Sequence, residues 1–349
     1  MLKRTILSLF ACVLAMGCRQ GAVPRYEPIS LEEAEPLAGT VLCDSIATTG
    51  MVDMQVVGGH IVLAGFHPEY RCWLFDRQGR FLTRFCAGGK GPGEAFLVNT
   101  VGRGEREDEI WAYDPQFQKL LTFSIDSLLN GNARATGEEP RSEVIPMNHV
   151  TNLWRVAAGR LALGGNGVKS TKRPERFALV DRQGEVIGRY GEVPAGEDTV
   201  GMKVAFNQPH VTISPDGTKM ADGSMFGAIL ETFDIDGRIE LQRVACFVEP
   251  DFPHTDDGRI TSFEGVTFGF GALASSDRRI YACYNGTNDP AAMTHIAVFD
   301  WDGRLEKLYK TDFRLDALCC DPQTETLYAV GVDESGEFRL VRFDLPDGE

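Results

Sequence analysis

The feature that most constrains this chain is a short motif that returns along its length: an apolar run, an Asp, a polar turn closed by Gly, and a second apolar run. Phe75-Asp76-Arg77-Gln78-Gly79-Arg80-Phe81 is one copy. Val180-Asp181-Arg182-Gln183-Gly184-Glu185-Val186, Phe233-Asp234-Ile235-Asp236-Gly237-Arg238-Ile239 and Phe299-Asp300-Trp301-Asp302-Gly303-Arg304-Leu305 repeat it, while Tyr113-Asp114-Pro115 and Phe343-Asp344 read as degraded copies. Asp at the head of such a turn accepts hydrogen bonds from the turn's backbone N–H groups, and Gly supplies the positive φ. The marker Asp residues 76, 114, 181, 234, 300 and 344 stand 38 to 67 residues apart, about 54 on average. That is close to the length of one four-stranded blade with variable loops.

An apolar hairpin precedes each marker: Val52–Val57 with His60–Gly65, Asn99–Val101 with Glu109–Tyr113, and Leu153–Val156 with Arg160–Leu163 in the first half. His210–Ser214 with Thr218–Ala221, Phe270–Ala274 with Arg279–Tyr284, and Leu315–Cys319 with Thr326–Gly331 follow in the second. Six hairpins and six markers predict an all-β fold, a six-bladed β-propeller of four-stranded antiparallel blades over residues 39–349. The 38 Gly and 21 Phe suit many tight turns between short strands. Only five residues follow Asp344, too few for a fourth strand. The strand-like run Val41–Ala47 is expected to supply that strand and close the ring, covering both edges.

The N-terminus carries an address. Lys3 and Arg4 precede an apolar run, Thr5–Met16, that is too short for a bilayer of ~30 Å and reads as the core of a signal peptide, residues 1–17. Ala15-Met16-Gly17-Cys18 is similar to a bacterial lipobox, which predicts lipidation of Cys18 and anchoring to a membrane by several acyl chains. Arg19 stands where an Asp commonly signals inner-membrane retention, so the expected location is the outer membrane, facing the periplasm or the cell surface. Pro24, Pro28 and Pro36 with Glu32, Glu33 and Glu35 make residues 18–38 read as a flexible tether. The net charge is −15, and −17 once Lys3 and Arg4 are removed. A chain this acidic is no partner for nucleic acid, which needs clustered Lys and Arg. Seven cysteines remain after the signal and Cys18, with no zinc-like spacing, so buried free thiols are expected. A monomer is expected.

Gly88-Gly89-Lys90-Gly91-Pro92-Gly93-Glu94, following the first marker turn, resembles the G-x-G-P-G-E segment of TolB-like six-bladed propeller lipoproteins of Gram-negative bacteria. Ala95 intervenes before the aromatic Phe96, a departure from that family's pattern. The resemblance implies the fold and an envelope location, and little about activity.

Candidate site residues are drawn from the starts of the blades and the crossings between them, where a propeller opens its central channel. Lys90 and Glu94 lie in the Gly-rich crossing, which lacks the Lys-Ser/Thr ending of a phosphate-binding loop. His149 and His210 each precede an inner-strand candidate. Asn99, Asn152 and Glu264, with Asp53 and Asn207, are oxygen donors of the kind that calcium takes. Phe268, with Phe263, Phe270 and Trp154, lies near blade starts and could stack on sugar rings beside an Asn. Lys169, Lys172, Arg173 and Arg176 form one basic loop on an acidic chain, read as solvated or as a docking loop.

The sequence has no G-x-S-x-G elbow and no H-E-x-x-H pair. The expected function is therefore a non-catalytic binding or scaffold propeller for an envelope protein or a glycan, without a cofactor. The alternative is a calcium-dependent hydrolase or lyase acting on a sugar or lactone at the channel.

Overall fold

The computed structural model describes residues 24–91, 93–131, 149–165 and 175–346. Residues 1–17, read from the sequence as a signal peptide, and Cys18, Lys169, Lys172 and Arg173 lie outside these residues.

Six sheets are arranged as blades. Blade 1 is Met51–Val57, His60–Gly65, Tyr70–Asp76 and Phe81–Ala87, each antiparallel to the next. Blade 2 shows three strands among the described residues, Thr100–Arg103, Glu109–Asp114 and Lys119–Ser124. Blade 3 is Asn152–Val156, Arg160–Gly164, Glu175–Val180 and Val186–Glu192. Blade 4 is His210–Ile213, Lys219–Gly223, Ala228–Ile235 and Ile239–Val248. Blade 5 is Phe270–Ser275, Arg279–Tyr284, His295–Asp300 and Leu305–Lys310. Blade 6 is Arg314–Cys320, Leu327–Val332 and Phe338–Phe343, with Thr40–Cys43 antiparallel to Phe338–Phe343 as its outermost strand.

Two-residue alternation places the core. In blade 3, Leu161, Leu163, Ala178 and Val180 face Trp111, Tyr113 and Leu120 of blade 2. The intervening Ala162, Phe177 and Leu179 face Met220, Phe233 and Ile235 of blade 4. Side chains alternate across a strand, so strands apolar at nearly every position bury both faces of their sheet. The same arrangement joins blades 1 and 2, 4 and 5, 5 and 6, and 6 and 1. Full burial of one large apolar side chain is worth about 1.5–3 kcal/mol.

The marker turns form as read in blades 1, 3 and 5, where Asp300 accepts from Arg304 N at 2.9 Å, whereas in blade 4 Asp234 stays within the strand, paired with Glu240, and the turn follows Ile235. Asp76 Oδ1 accepts from the N–H groups of Gln78 and Arg80 at 3.0 and 2.8 Å, and Asp181 repeats this with Gln183 and Glu185. Gly79 and Gly184 take φ of +78° and +85°, where a side chain would be strained. Asp114 differs from the expectation. It ends the second strand of its blade rather than the third, so its turn lies at the other end of the sheet. Its carboxylate accepts from Gln116 N and Phe96 N, tying the Gly-rich crossing to blade 2. The third strand of blade 2 ends at Ser124, which caps the short helix Ile125–Leu129.

Residues 24–38 also depart from the tether expectation. Tyr26 N donates to Cys246 O at 2.8 Å, Glu35–Pro36 pairs in parallel with Tyr309–Lys310, and Leu37 N donates to Lys310 O. Ile29 and Leu37 are buried against blades 4–5 and 5–6. The prolines and acids fit a strap on the outer rim because that rim offers an unpaired strand edge and two apolar clefts. Arg176 is the other correction. It lies within the third strand of blade 3, 4 % exposed, and not in a solvated loop. Its guanidinium donates to Asp222 Oδ2 at 2.5 Å and to Glu231, which stand opposite each other on adjacent strands of blade 4.

Two predictions follow from these burials. Removing one member of a buried ion group leaves the rest uncompensated. Arg176→Met should therefore lower unfolding stability by about 3–5 kcal/mol, and adding Asp222→Leu and Glu231→Leu should restore most of it; denaturant midpoints measure both. Half-buried Asp53 accepts from Met54 N and Val101 N, yet loss of hydration pushes its pKa up to about 7. The folded chain then holds a proton that the unfolded chain releases, so this group's contribution falls as pH rises from about 4 through 7. Asp53→Asn should flatten the stability decline between pH 5 and pH 8 by on the order of 2 kcal/mol, after discounting for partial exposure.

Candidate binding cavity

The inner strands enclose a cavity of about 550 Å³. It sits where those strands end, reached by Gln55 and Val56 of blade 1, Arg103 of blade 2, Val156 of blade 3 and Ile213 of blade 4.

Two indoles reach it from the two faces of blade 3. Trp111 belongs to the second strand of blade 2, and it reaches the cavity because its register partner on the inner strand is Gly102. A Cβ at residue 102 would lie 2.6 Å from the Trp111 ring. Trp111 is 3 % exposed, and its Nε1 has no hydrogen-bond acceptor among the described residues. Trp154 lies on the inner strand of blade 3, half-buried, its ring edge-on to Phe177 with centroids 6.4 Å apart.

Charge is gathered around the same space. Arg103, Arg155 and Arg182 line it, with Glu105 and Asp216 as the acids. Arg155 faces Glu105 at 4.0 Å. Arg182 lies against Gly159, whose φ of +68° and missing side chain leave it room, and donates from Nε to Ala158 O at 2.9 Å. Burial alone would raise the Asp216 pKa, but hydrogen bonds from Ser214 and Thr218 outweigh it and hold the carboxyl below its ordinary range. Thr212 and Ser275 bond at 3.0 Å across the wall between blades 4 and 5. A space of this size, with flat rings and a few polar groups, has the make-up of a small-molecule site.

None of the eight binding residues expected from the sequence lines this cavity. Asn152 and His210 open inner strands of which the cavity touches the far ends. Glu94 Oε2 accepts from Gly91 N at 2.8 Å and closes its own loop, while the carbonyl of exposed Lys90 is held by Lys119 Nζ at 3.0 Å. Asn99 Nδ2 donates to Thr151 O at 3.0 Å, and Thr151 Oγ1 donates to Asn152 Oδ1 at 2.7 Å, so these two amides are brought together to stitch blade 2 to blade 3. Exposed His149 takes a left-handed φ of 60° before that stitch. Burial lowers the His210 pKa to about 4, so its imidazole is neutral. Glu264 is exposed on the loop between blades 4 and 5, and Phe268 packs against Phe226 and Phe263 beside it. These residues do not form one site.

The calcium expectation is met no better by this geometry. Both Asp53 oxygens accept backbone N–H groups, the Asn99 amide N–H₂ is engaged, and the Asn152 carbonyl accepts from Thr151. Among the described residues no three His, Cys, Asp or Glu gather into a metal-holding group. The described cysteines are free, six of them buried.

Among the cavity-lining side chains that sequence reasoning missed are Trp111, Arg103, Arg155, Arg182 and Gln55. One signal was available: a Gly on an inner strand that a hairpin register sets opposite a Trp. Trp154, noted as a possible stacking residue, is the one expectation that lands on the cavity.

Comparison with known proteins places this geometry in a family. A search of the curated proteins finds no match. Among solved structures, a protein from Bacteroides fragilis described as exported superposes with a TM-score of 0.62 at 13 % identity, covering 92 % of this chain and 99 % of that one. A gluconolactonase from Xanthomonas campestris gives 0.53 at 12 %, covering 88 % and 89 %. The calcium-binding protein regucalcin from Agrobacterium tumefaciens gives 0.52 at 12 %, covering 89 % and 95 %. At these identities the likeness is one of fold. The model of the TolB-like 6-blade propeller-like family matches residues 52–323, most of the chain, and the protein belongs to that family.

Proposed function

We propose that this protein is a non-catalytic binding module of the cell envelope, anchored through Cys18, that takes a glycan into its channel cavity. The observation that carries the reading is a cavity of about 550 Å³ lined by half-buried Trp154 and by Trp111, whose ring is otherwise buried between blades 2 and 3. The open part of the Trp154 indole suits the apolar face of a sugar ring. The unpartnered Trp111 N–H offers a fixed donor to a ring oxygen or hydroxyl. The rigid ring of blades fixes both indoles before any ligand arrives, which lowers the entropy cost of binding. The envelope location rests on the lipobox-like segment, the family, and the exported protein among the structural neighbours. The alternative, a calcium-dependent hydrolase or lyase, lacks a convergent donor set among the described residues, and no catalytic step is derived for it.

Two measurements test the reading. Titration of the purified protein with a panel of neutral and acidic oligosaccharides, followed by indole fluorescence and calorimetry, should find a binder. Trp154→Ala should weaken that binder by about tenfold or more, ~1.4 kcal/mol, with little change in melting temperature. A panel without binders, or a binder indifferent to Trp154, sinks the glycan site. Independently, Cys18→Ala should abolish incorporation of labelled fatty acid and release the chain from the membrane fraction; label retained in the variant would end the anchor proposal.

A further inference from the structure

We infer that the saccharide bound in this cavity is acidic, with a carboxylate on its ring. This inference rests on the glycan reading above and goes further, naming the ligand's charge.

The chain's net charge of −15 leaves an anion attracted only where cations are locally concentrated. The cavity is such a place. Of its two carboxylates, Asp216 is engaged within its own turn by Ser214 Oγ at 2.7 Å and by Thr218 N and Oγ1 at 3.0 and 2.7 Å. Glu105 is 70 % exposed and stands 4.0 Å from Arg155. That leaves two further guanidinium groups, Arg103 and Arg182, neither in an ion pair among the described residues.

Their placement is specific. Arg103 ends the inner strand of blade 2, immediately after Gly102, over which the Trp111 ring lies. Arg182 lies against Gly159, its Nε fixed on the Ala158 carbonyl. A guanidinium is a planar fork that matches a carboxylate with two parallel hydrogen bonds. Trp111 Nε1 supplies a second kind of observation. It is a donor buried in the cavity wall without an acceptor among the described residues, and a buried donor left unpaired is destabilising. A sugar carrying a carboxylate presents what this wall lacks: a ring face for indole, an acceptor for the buried N–H, and an anion for the guanidinium groups.

Trigalacturonate and its methyl ester are the decisive pair, because they share every ring and differ in charge. Calorimetry of the full chain should show the acid binding at least about tenfold more tightly, ~1.4 kcal/mol, with the difference shrinking as salt is raised. Arg103→Gln with Arg182→Gln should remove the difference, so that acid and ester bind that variant with equal affinity. Trp154→Ala should weaken both. Equal affinities for acid and ester, or a difference that survives loss of both arginines, overturns the inference and leaves the glycan site standing. If neither probe binds while a neutral member of the panel does so through Trp154, the inference likewise falls alone. If nothing binds, the site and its charge preference fall together.

Discussion

Everything in this molecule depends on sheets that are apolar on both faces. A single blade cannot bury itself; each covers its neighbours, so the chain folds only as a ring. The alternation in blade 3 states the constraint most clearly, with odd-numbered Leu161 and Leu163 turned to blade 2 and even-numbered Ala162 turned to blade 4. The junction of blades 6 and 1, where Met54, Ile61 and Leu63 meet Ala317, Cys319 and Val330, is built in the same way as the rest. The polar groups at the axis serve the same end. Asp316 accepts from Met51 N, Asp53 from Val101 N, and Asn99 donates to Thr151 O, each joining the inner region of one blade to the next.

That stitching explains how far the sequence could be read. Blade number and approximate blade position were legible, because apolar runs separated by Asp-x-x-Gly turns are local signals. Asp114 misled as a marker because a turn-forming Asp looks alike at either end of a sheet, and only strand pairing tells the ends apart. The strap at residues 24–38 was illegible for a related reason. Its Pro and Glu content denies it a core of its own, and the apolar clefts that hold Ile29 and Leu37 are made by strands of blades 4 to 6, far along the chain.

The candidate site was mostly illegible. Asp53, Asn99 and Asn152 looked like ligand donors because they are oxygen-bearing residues at blade starts, but their hydrogen-bonding capacity is used on backbone and neighbouring side chains. The cavity lies at the opposite ends of the inner strands. There the decisive residue is one without a side chain: Gly102 admits Trp111 from the second strand. The one local signal, a Gly opposite a Trp in the same hairpin, becomes readable only once the strand register is known.

Arginine shows how position divides one residue type between stability and recognition. Arg176 is enclosed, with Asp222 and Glu231 to neutralise it and the Phe206 ring 4.3 Å beneath its guanidinium. Its hydrogen bonds are made, its charge is compensated, and it has little left to offer a ligand. Arg103 and Arg182 stand at the cavity with donors still open to water. Desolvating them on binding is repaid only by a partner of opposite charge and matching geometry. A neutral ligand could occupy the same volume and stack on Trp154 without making that exchange. On the proposed reading the discrimination between the two falls to the guanidinium groups, of which Arg182 is steadied by its bond to the Ala158 carbonyl.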